Sequence, residues 1–93
     1  MSEEKKYLQS KVNTCLYLER CFEEDPRLFL VGLRKVAAAR GGLSELSRKT
    51  GLNRQHLYTM LSPQGNPEAT TLVRILEALE LKVNIQVRPK RPS

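Results

Sequence analysis

Residues 43–61 read LSELSRKTGLNRQHLYTML, and a single glycine, Gly51, divides them into two short segments with helical spacing. Four apolar residues recur at positions that a corner between two helices would bury: Leu46, Leu52, Leu57 and Met60. Polar and basic residues fill the opposite face of the second segment: Asn53, Arg54, Gln55, Tyr58 and Thr59. This pattern is typical of a helix-turn-helix, whose second helix enters the major groove of DNA.

The polar face of the second helix carries side chains suited to reading base edges. Asn and Gln can hydrogen-bond to N6 and N7 of adenine, and Arg can donate to O6 and N7 of guanine. Asn53 is expected to cap this helix, which would span residues 54–61. Asn53, Arg54 and Gln55 place these groups in succession at its start, and Tyr58 and Thr59 follow one turn later. The last two could contact a thymine methyl group or a phosphate. The sequence therefore predicts that these five residues read bases.

Three residues of the preceding helix are expected to contact phosphates. Ser44 stands at the start of that helix, where a hydroxyl or a backbone N–H can bind a phosphate. Arg48 and Lys49 lie near the DNA backbone path and would add sequence-independent attraction. The lone histidine, His56, is expected at the surface without a special role. The competing interpretation is a plain helical hairpin with a solvated polar face.

The charge of the chain is unevenly distributed. The 93 residues carry a net charge of +6. Residues 1–25 hold four Lys/Arg against six Asp/Glu, a balance of −2, and residues 26–93 hold twelve Lys/Arg against four Glu, a balance of +8. A basic body after an acidic arm suits a polyanion such as double-stranded DNA, because neutralised phosphates release counterions.

Several other classes of protein find no support in the sequence. No run of about 18 apolar residues could span a membrane, and the charged start, MSEEKKYLQS, lacks the apolar core of a signal peptide, so a cytoplasmic location is expected. Cys15 and Cys21 with one His form no zinc pattern, and two reduced thiols are expected. No nucleophile–His–acid set or Gly-rich phosphate loop is present, so the sequence predicts neither an enzyme nor a cofactor or metal site.

Helices are expected on both sides of the central stretch. An apolar stripe, broken by Glu19 alone, favours a helix before residue 25: Leu8, Val12, Cys15, Leu16 and Phe22. Either this helix spans residues 3–24, or Asn13 caps a shorter one over residues 14–24 after a loose lead-in, which we prefer. Asp25-Pro26 predicts a helix that runs to about Ala39 and ends at Gly41-Gly42.

That second helix should bury one face and expose another. Its expected inward residues are Leu30, Leu33, Val36 and Ala37, and its expected outward residues are Arg34, Lys35 and Arg40. After a loop at residues 62–67, Thr70 or Thr71 is expected to cap a fifth helix to about Leu79.

The end of the chain changes to a period of two residues. Val83, Ile85 and Val87 alternate with polar residues, which predicts a β-strand over residues 81–88 before a basic disordered tip at 89–93. A single strand needs a partner, and we expect the same strand of a second subunit in a homodimer, with a strand from residues 1–11 as the alternative. The expected domains are thus an arm (1–24), a DNA-binding domain (25–80), the strand and the tip.

The chain resembles the addiction-module antidote proteins, antitoxins of the Cro/C-terminal-type-repressor helix-turn-helix class. The resemblance covers about residues 16–88 and rests on three motifs: EEDPRLFLVGLRKVAAARGG (23–42), LSELSRKTGLNRQHLYTMLS (43–62) and GNPEATTLVRILEALELKV (65–83). It implies a mostly α, five-helix, lambda-repressor-like domain. It also implies an antitoxin that neutralises a RelE/ParE-type toxin encoded beside it and represses its own operon as a dimer.

The resemblance does not identify the surface that binds the toxin. The residues themselves suggest the acidic arm, because toxins of this kind tend to be small and basic and opposite charge would steer their encounter. Our hypothesis places this surface at Glu19, Glu23 and Glu24, with Asp25 beside them. Two alternatives stay open: a stand-alone phage-type or chromosomal repressor, and an interaction module that does not read DNA.

Overall fold

The structure, a computed structural model, describes residues 6–90. Five helices lie wholly within that range: α1 (Lys11–Glu24), α2 (Pro26–Ala39), α3 (Gly42–Thr50), α4 (Arg54–Met60) and α5 (Ala69–Ala78). The mostly helical fold and the number of helices therefore agree with the sequence. No helix among the described residues is long and apolar enough to cross a membrane.

The start of α2 follows the local sequence signals. The Asp25 side chain accepts a hydrogen bond from the Arg27 backbone N–H (2.9 Å), and Pro26 occupies the first helical position. The Arg27 guanidinium also donates to Asp25 and holds the pKa of that carboxyl below its ordinary value. Asp25 is therefore occupied as a helix cap and ion-pair partner, which argues against a role for it in binding a toxin.

A single apolar core joins all five helices. Leu33, Val36 and Ala37 of α2 are buried at its centre, and Leu30 lies at its edge, as expected. The other helices and the segments next to them contribute large buried side chains: Leu8, Leu18, Leu46, Leu57, Met60, Leu61, Ile75, Leu76, Leu79 and Leu81. Burial of such side chains contributes about 1.5–3 kcal/mol each, so this core is the main source of stability.

The first helix differs from both sequence expectations. It begins at Lys11 after an N-cap at Ser10, whose side chain accepts from the Asn13 backbone N–H (3.4 Å), so the prediction that Asn13 is the cap was wrong. The lead-in is not loose over its described part, because Leu8 is 1 % exposed. Residues 1–5 of the predicted arm lie outside the described residues.

The apolar stripe of α1 is not its packing face. Thr14 and Leu18 are buried against α2, whereas Val12 and Leu16 are exposed. Phe22 lies between these two faces, because it is partly exposed but meets Phe29 of α2 edge to face. Thr14 is accommodated in the interior because its Oγ1 lies 2.8 Å from the carbonyl oxygens of both Leu8 and Ser10. A buried threonine whose hydroxyl is fully hydrogen-bonded can thus replace an apolar residue in the core.

The prediction that Arg40 points outward was wrong. Its guanidinium donates to the carbonyl oxygen of Leu79 (2.6 Å), to that of Leu8 (3.4 Å) and to Thr14 Oγ1 (3.0 Å). The side chain therefore turns back from the end of α2 and satisfies polar groups of the arm and of the end of α5. Five fixed donors make arginine suited to joining several acceptors in this way.

The fifth helix begins at Ala69, two residues before the start that a Thr70 cap predicts and three before the start that a Thr71 cap predicts. Its N-cap is Glu68, without a side-chain hydrogen bond, so neither Thr70 nor Thr71 is the cap. The preceding loop needs Gly65, because a Cβ there would lie 1.9 Å from the Met60 carbonyl oxygen. This loop is ordered by a hydrogen bond from the Gly65 N–H to the Ser62 carbonyl oxygen (2.9 Å).

The end of α5 is a Schellman motif built around a glutamate. The Leu81 N–H donates to the Leu76 carbonyl oxygen and the Glu80 N–H to that of Glu77, both at 2.9 Å. Glu80 adopts a φ of +61°, a left-handed conformation that glycine usually supplies. Burial of Leu76 and Leu81 completes the motif with its usual apolar contact.

The predicted strand at residues 81–88 is not formed within the described single chain. These residues have no assigned secondary structure, and Val83, Ile85 and Val87 are 37, 76 and 89 % exposed. The alternative partner strand is also wrong for the described part of residues 1–11, because residues 6–7 are helical and α1 begins at Lys11. A strand requires hydrogen bonds from a second segment, and none of residues 6–90 pairs with the tail in this way.

Candidate nucleic-acid interface

The turn between α3 and α4 is fixed by side chains that satisfy its backbone groups. Gly51 ends α3 with a φ of +76°. Ser47 Oγ donates to the Leu52 carbonyl oxygen (2.5 Å), and Thr50 Oγ1 accepts from the Leu52 N–H (3.2 Å) while donating to the Leu46 carbonyl oxygen (2.8 Å). These contacts hold the two helices in one relative orientation, which an interface that reads a rigid ligand requires.

The four residues expected to be buried at this corner behave as predicted. Leu46, Leu57 and Met60 are buried, and Leu52 is half-buried against the core. The opposite side of α4 consequently faces solvent. Arg54, Gln55, Tyr58 and Thr59 are exposed there, as is His56. Within residues 6–90, neither the Arg54 guanidinium nor the Gln55 side-chain amide forms a hydrogen bond or ion pair with another part of the protein.

Asn53 is placed at the predicted position but has a structural task. Its Oδ1 accepts hydrogen bonds from the backbone N–H groups of Gln55 (2.8 Å) and His56 (3.1 Å), which makes it the N-cap of α4. A bidentate contact with adenine needs both Oδ1 and Nδ2. Since Oδ1 is already engaged, Asn53 retains one free donor, and the two-bond contact expected from the sequence would require the cap to break.

Tyr58 has a neighbour that the sequence did not indicate. The Arg34 guanidinium of α2 stacks over its ring, with Cζ 4.9 Å from the ring centroid, in a cation–π contact. Arg34 was expected to point outward from α2, but its link to α4 could not be predicted, since no local signal connects residues so far apart in the chain. The contact orients the Tyr58 ring and adds a positive charge to the surface around α4.

Thr59 also forms a bond within its own helix. Its Oγ1 donates to the Gln55 carbonyl oxygen (3.2 Å), while its backbone carbonyl accepts from Ser62 Oγ (2.7 Å). The hydroxyl proton of Thr59 is thus used internally. The methyl group and the hydroxyl lone pairs remain available to a ligand.

The three predicted phosphate contacts differ in their availability. Ser44 is exposed, but it is the third residue of α3 instead of its cap, which is Gly41. Arg48 is paired with Glu45, with its Nε 3.1 Å from Oε2, and this pair lowers the pKa of Glu45. Lys49 is exposed and forms no ion pair within 4 Å among the described residues. Lys49 is therefore the cation of α3 that is most available for a phosphate contact.

The remaining predicted residues lie away from α4. Glu19, Glu23 and Glu24 are exposed on α1, and Val83, Ile85 and Val87 lie on the extended tail. The structure thus brings together the residues of the α3–α4 pair and leaves the acidic residues and the tail as separate surfaces. Within the described range, no group of His, Cys, Asp or Glu is arranged to hold a metal ion.

Comparison with known proteins identifies the family. A family model described as "Probable addiction module antidote protein" matches residues 2–87. The chain is also 36 % identical over 81 residues to an uncharacterized protein of Haemophilus influenzae, with 86 % of this chain and 82 % of that protein covered. No solved structure matches the chain. The chain belongs to the family of probable addiction-module antidote proteins, and membership of this family implies a toxin as its partner.

Proposed function

We propose that this protein is an antitoxin that binds operator DNA through α4, represses its own operon as a homodimer and neutralises a small basic toxin of the RelE/ParE type. The observation that carries the DNA-binding part is the exposed row Arg54, Gln55, Tyr58 and Thr59 on a capped helix held by a rigid turn. Within this row, Arg54 and Gln55 offer side-chain donors and acceptors that the described protein does not use, in a helix short enough to lie in a major groove.

Direct base reading is assigned mainly to Arg54 and Gln55. Both stand in the first turn of α4, the part of a recognition helix that comes nearest the bases. Asn53 takes a lesser part, since its oxygen caps the helix and only its Nδ2 can donate to a base. Tyr58, held by Arg34, and Thr59 contact a thymine methyl group or a phosphate one turn later.

Phosphate binding is assigned first to Lys49 and then to Ser44 and Arg48. Lys49 has no ion pair in the described protein, whereas Arg48 would first have to exchange Glu45 for a phosphate. Arg34 joins this group because it supplies a cation beside Tyr58. These contacts fix the position of the protein on DNA and contribute affinity for any sequence.

Dimerisation is assigned to the tail. Residues 81–88 alternate between β-branched or leucine residues and polar residues, and the tail follows a firmly anchored Leu81. Pairing with the same segment of a second copy around a two-fold axis would supply the missing backbone hydrogen bonds. Two recognition helices would then face half-sites about one DNA turn, ~34 Å, apart.

A titration with DNA tests the repressor part of the proposal. The protein is added to a labelled duplex from just upstream of its own gene and to a scrambled duplex of equal length, both near physiological salt, and fluorescence anisotropy is followed. We expect the upstream duplex to bind ~10³-fold or more tightly. Equal, weak binding to both would instead identify an interaction module whose positive charge is unrelated to DNA.

The stand-alone repressor is distinguished by a second measurement. The protein is mixed with the purified product of the adjacent reading frame, and complex formation is followed by calorimetry. An antitoxin forms a stoichiometric complex that abolishes the toxic activity, whereas a stand-alone repressor binds the upstream duplex and ignores this protein.

A further inference from the structure

The side of α1 that points away from α2 carries large apolar side chains that no described residue covers. Val12 is 70 % exposed and Leu16 is 55 % exposed. Phe22 is excluded from this side, because its ring meets Phe29 of α2 edge to face, with the ring centroids 5.5 Å apart. Glu19 and Glu23 lie on the same side of the helix as Val12 and Leu16, also exposed. Val12, Leu16, Glu19 and Glu23 are named the outer face of α1. Clustered exposure of large apolar residues is typical of a surface that binds another molecule.

Helical geometry explains why this face is free. Thr14, Leu18 and Cys21 pack against α2 at spacings of four and three residues, where a Cβ on Gly32 would lie 3.2 Å from Leu18 and 3.4 Å from the Cys21 sulfur. Val12 and Leu16 stand two residues before Thr14 and Leu18 in the same pattern. Two residues correspond to a rotation of about 200°, so the outer face lies opposite the packing face.

The charge on the outer face indicates the kind of partner it fits. Glu19 and Glu23 form no ion pair with any described residue, and they continue the row that Val12 and Leu16 begin. The face is therefore apolar in its first half and acidic in its second half. A groove with apolar walls and a basic rim complements it, in the helix-in-groove mode of recognition.

A second copy of this chain fits the outer face poorly. Antiparallel pairing of two α1 helices would place Glu23 of one copy against Val12 of the other, and parallel pairing would place Glu19 against Glu19. The first arrangement buries carboxylates without a counter-charge and the second opposes like charges, and both cost free energy. DNA is excluded as well, because phosphates repel these carboxylates.

The outer face also lies on the far side of α2 from the proposed DNA-reading helix. Gly32 of α2 marks the approach of α1, and Arg34 of α2 stacks on Tyr58 of α4. These two positions are again two residues apart, which places α1 and α4 on roughly opposite sides of α2. A molecule bound to the outer face of α1 therefore leaves α4 uncovered.

We infer that the outer face of α1 is the docking surface for the basic toxin, with Val12 and Leu16 as apolar anchors and Glu19 and Glu23 as the charged rim. The inference rests on the proposed function, since it needs a toxin to bind. The sequence suggested a toxin-binding surface that acts through charge alone. The inferred surface is mixed, and its apolar residues supply most of the affinity for the toxin. It also assigns DNA and toxin to opposite sides of one protein.

Matched variants separate the apolar and acidic parts of this surface. Val12→Gln with Leu16→Gln removes two anchors, and Glu19→Lys with Glu23→Lys reverses the rim. The controls are Val73→Gln and Glu77→Lys, which make the same changes at exposed positions on α5. Circular dichroism and thermal melting show that each variant is folded before the purified product of the adjacent reading frame is titrated by calorimetry.

We expect the double glutamine variant to bind the toxin roughly 100-fold more weakly, as loss of two interface anchors typically gives. The double lysine variant should lose about tenfold, more at low salt than at high salt. Both should bind the upstream DNA duplex as the unaltered protein does, and a toxin–protein–DNA complex should form. The two controls should change neither affinity.

Three results would overturn the inference, and they differ in whether the proposed function is overturned as well. If the unaltered protein ignores the adjacent gene product, the proposed toxin partner is lost as well. If it binds and the α1 variants bind equally well, the proposed function stands and the docking surface lies elsewhere. If the glutamine variant turns a dimer into a monomer in sedimentation, the outer face joins two copies of this chain.

An independent measurement uses the exposed thiol of Cys15, which lies next to Leu16 in the sequence. In a Cys21→Ala background, the rate of maleimide labelling at Cys15 is followed with and without the toxin. We expect toxin to slow labelling at least about tenfold, while operator DNA leaves the rate unchanged. An unaltered rate in a saturated toxin complex would place the toxin away from this face.

Discussion

Asn53 shows at the level of one residue how a structural and a functional role compete. The sequence places it among the base readers, and the structure uses its Oδ1 to hold the first turn of α4. Asn53→Ser keeps an oxygen for the cap and loses the amide donor, whereas Asn53→Ala loses both. We expect Asn53→Ala to lower the free energy of unfolding by ~1 kcal/mol and Asn53→Ser to leave it nearly unchanged, as measured by urea denaturation.

The same two variants report on base reading by Asn53. If the residue is mainly a cap, Asn53→Ser binds the operator within a few fold of the unaltered protein. A loss of 100-fold or more in Asn53→Ser, with stability intact, would show that the amide contacts a base after all and that the cap opens on DNA.

Alanine variants distinguish base reading from phosphate binding when they are made at Arg54, Gln55 and Lys49. Arg54→Ala and Gln55→Ala should each weaken the specific site by ~1–3 kcal/mol and leave scrambled DNA little affected, because base contacts carry the sequence information. Lys49→Ala should weaken both duplexes alike and reduce the salt slope by about one unit, because one phosphate contact is lost. Anisotropy titrations at several salt concentrations measure both effects. Identical behaviour of all three variants would contradict this assignment.

At the level of elements, the end of α5 depends on an ion pair as well as on its backbone motif. The Lys11 amino group lies 3.2 Å from a Glu80 carboxylate oxygen and lowers the pKa of Glu80 from its ordinary value of about 4.5. A carboxyl whose pKa is lower in the folded protein stabilises it above the unfolded pKa. This stabilisation is lost as the pH falls below about 4.5 and through the lowered value.

Glu80→Gln tests this pH dependence. Between about pH 5 and pH 3, the unaltered protein should lose more of its free energy of unfolding than the variant, because only the unaltered protein protonates this carboxyl on acidification. Thermal melts at a series of pH values measure the difference. Glu77→Gln, which removes an exposed carboxylate without an ion partner in the described protein, serves as the control. Equal pH profiles for Glu80→Gln and the unaltered protein would contradict the linkage.

The elements that the sequence predicted well are those with local signals. Asp25-Pro26 and Asn53 mark helix starts, and Gly41 and Gly51 mark helix ends, because caps and left-handed turns depend on a few neighbouring residues. Glu80 shows the limit of this reasoning. A glutamate in a left-handed C-terminal turn has no local signature, and its position depends on Leu81 being buried.

The first helix was harder to interpret because it carries two faces with helical spacing. The face that carries Val12 and Leu16 is the exposed one, whereas the packing face includes Thr14. Periodicity reports that a face is apolar, but not whether its partner belongs to the same chain. The tail posed the same difficulty: its alternation indicates a strand, and the single chain does not supply the second strand.

At the level of the whole molecule, Arg40 connects segments distant in the sequence. It joins the arm at Leu8 and Thr14 to the end of α5 at Leu79. Arg40→Ala removes the donor to the Leu79 carbonyl oxygen and to Thr14 Oγ1, while the Leu8 carbonyl oxygen keeps its bond from the Thr14 hydroxyl. This loss should lower the free energy of unfolding by about 1–3 kcal/mol. Arg74→Ala, an exposed arginine on α5, should change it by no more than about 0.5 kcal/mol. Urea denaturation followed by circular dichroism measures both.

Hydrogen exchange provides a second measurement on the Arg40→Ala variant. If Arg40 couples the arm to the rest, hydrogen exchange in Arg40→Ala should accelerate at α1 and at the end of α5 more than at α3. Equal acceleration throughout the chain would show that Arg40 contributes to global stability without a specific link.

The candidate site could be located from the sequence, but its internal chemistry could not. The residues of α4 were found because a recognition helix needs polar side chains opposite a buried face. The engagement of Arg48 by Glu45 and of Tyr58 by Arg34 depends on side-chain geometry. The sequence therefore predicted the exposed face of α4, and the structure adds which side chains of α3 and α4 are already engaged within the protein.

The exposed tail after Leu81 has a consequence for cleavage of the protein by proteases. The last firmly packed residue is Leu81, and Lys82 follows it at once in an exposed, extended segment that a protease can bind. A cut after Lys82 would leave the helical core and α4 intact and would remove the segment assigned to dimerisation. The cleaved protein, as a monomer, would contact only one half-site. A single cleavage would then weaken the proposed repression of the operon while leaving the proposed toxin-docking face of α1 in place.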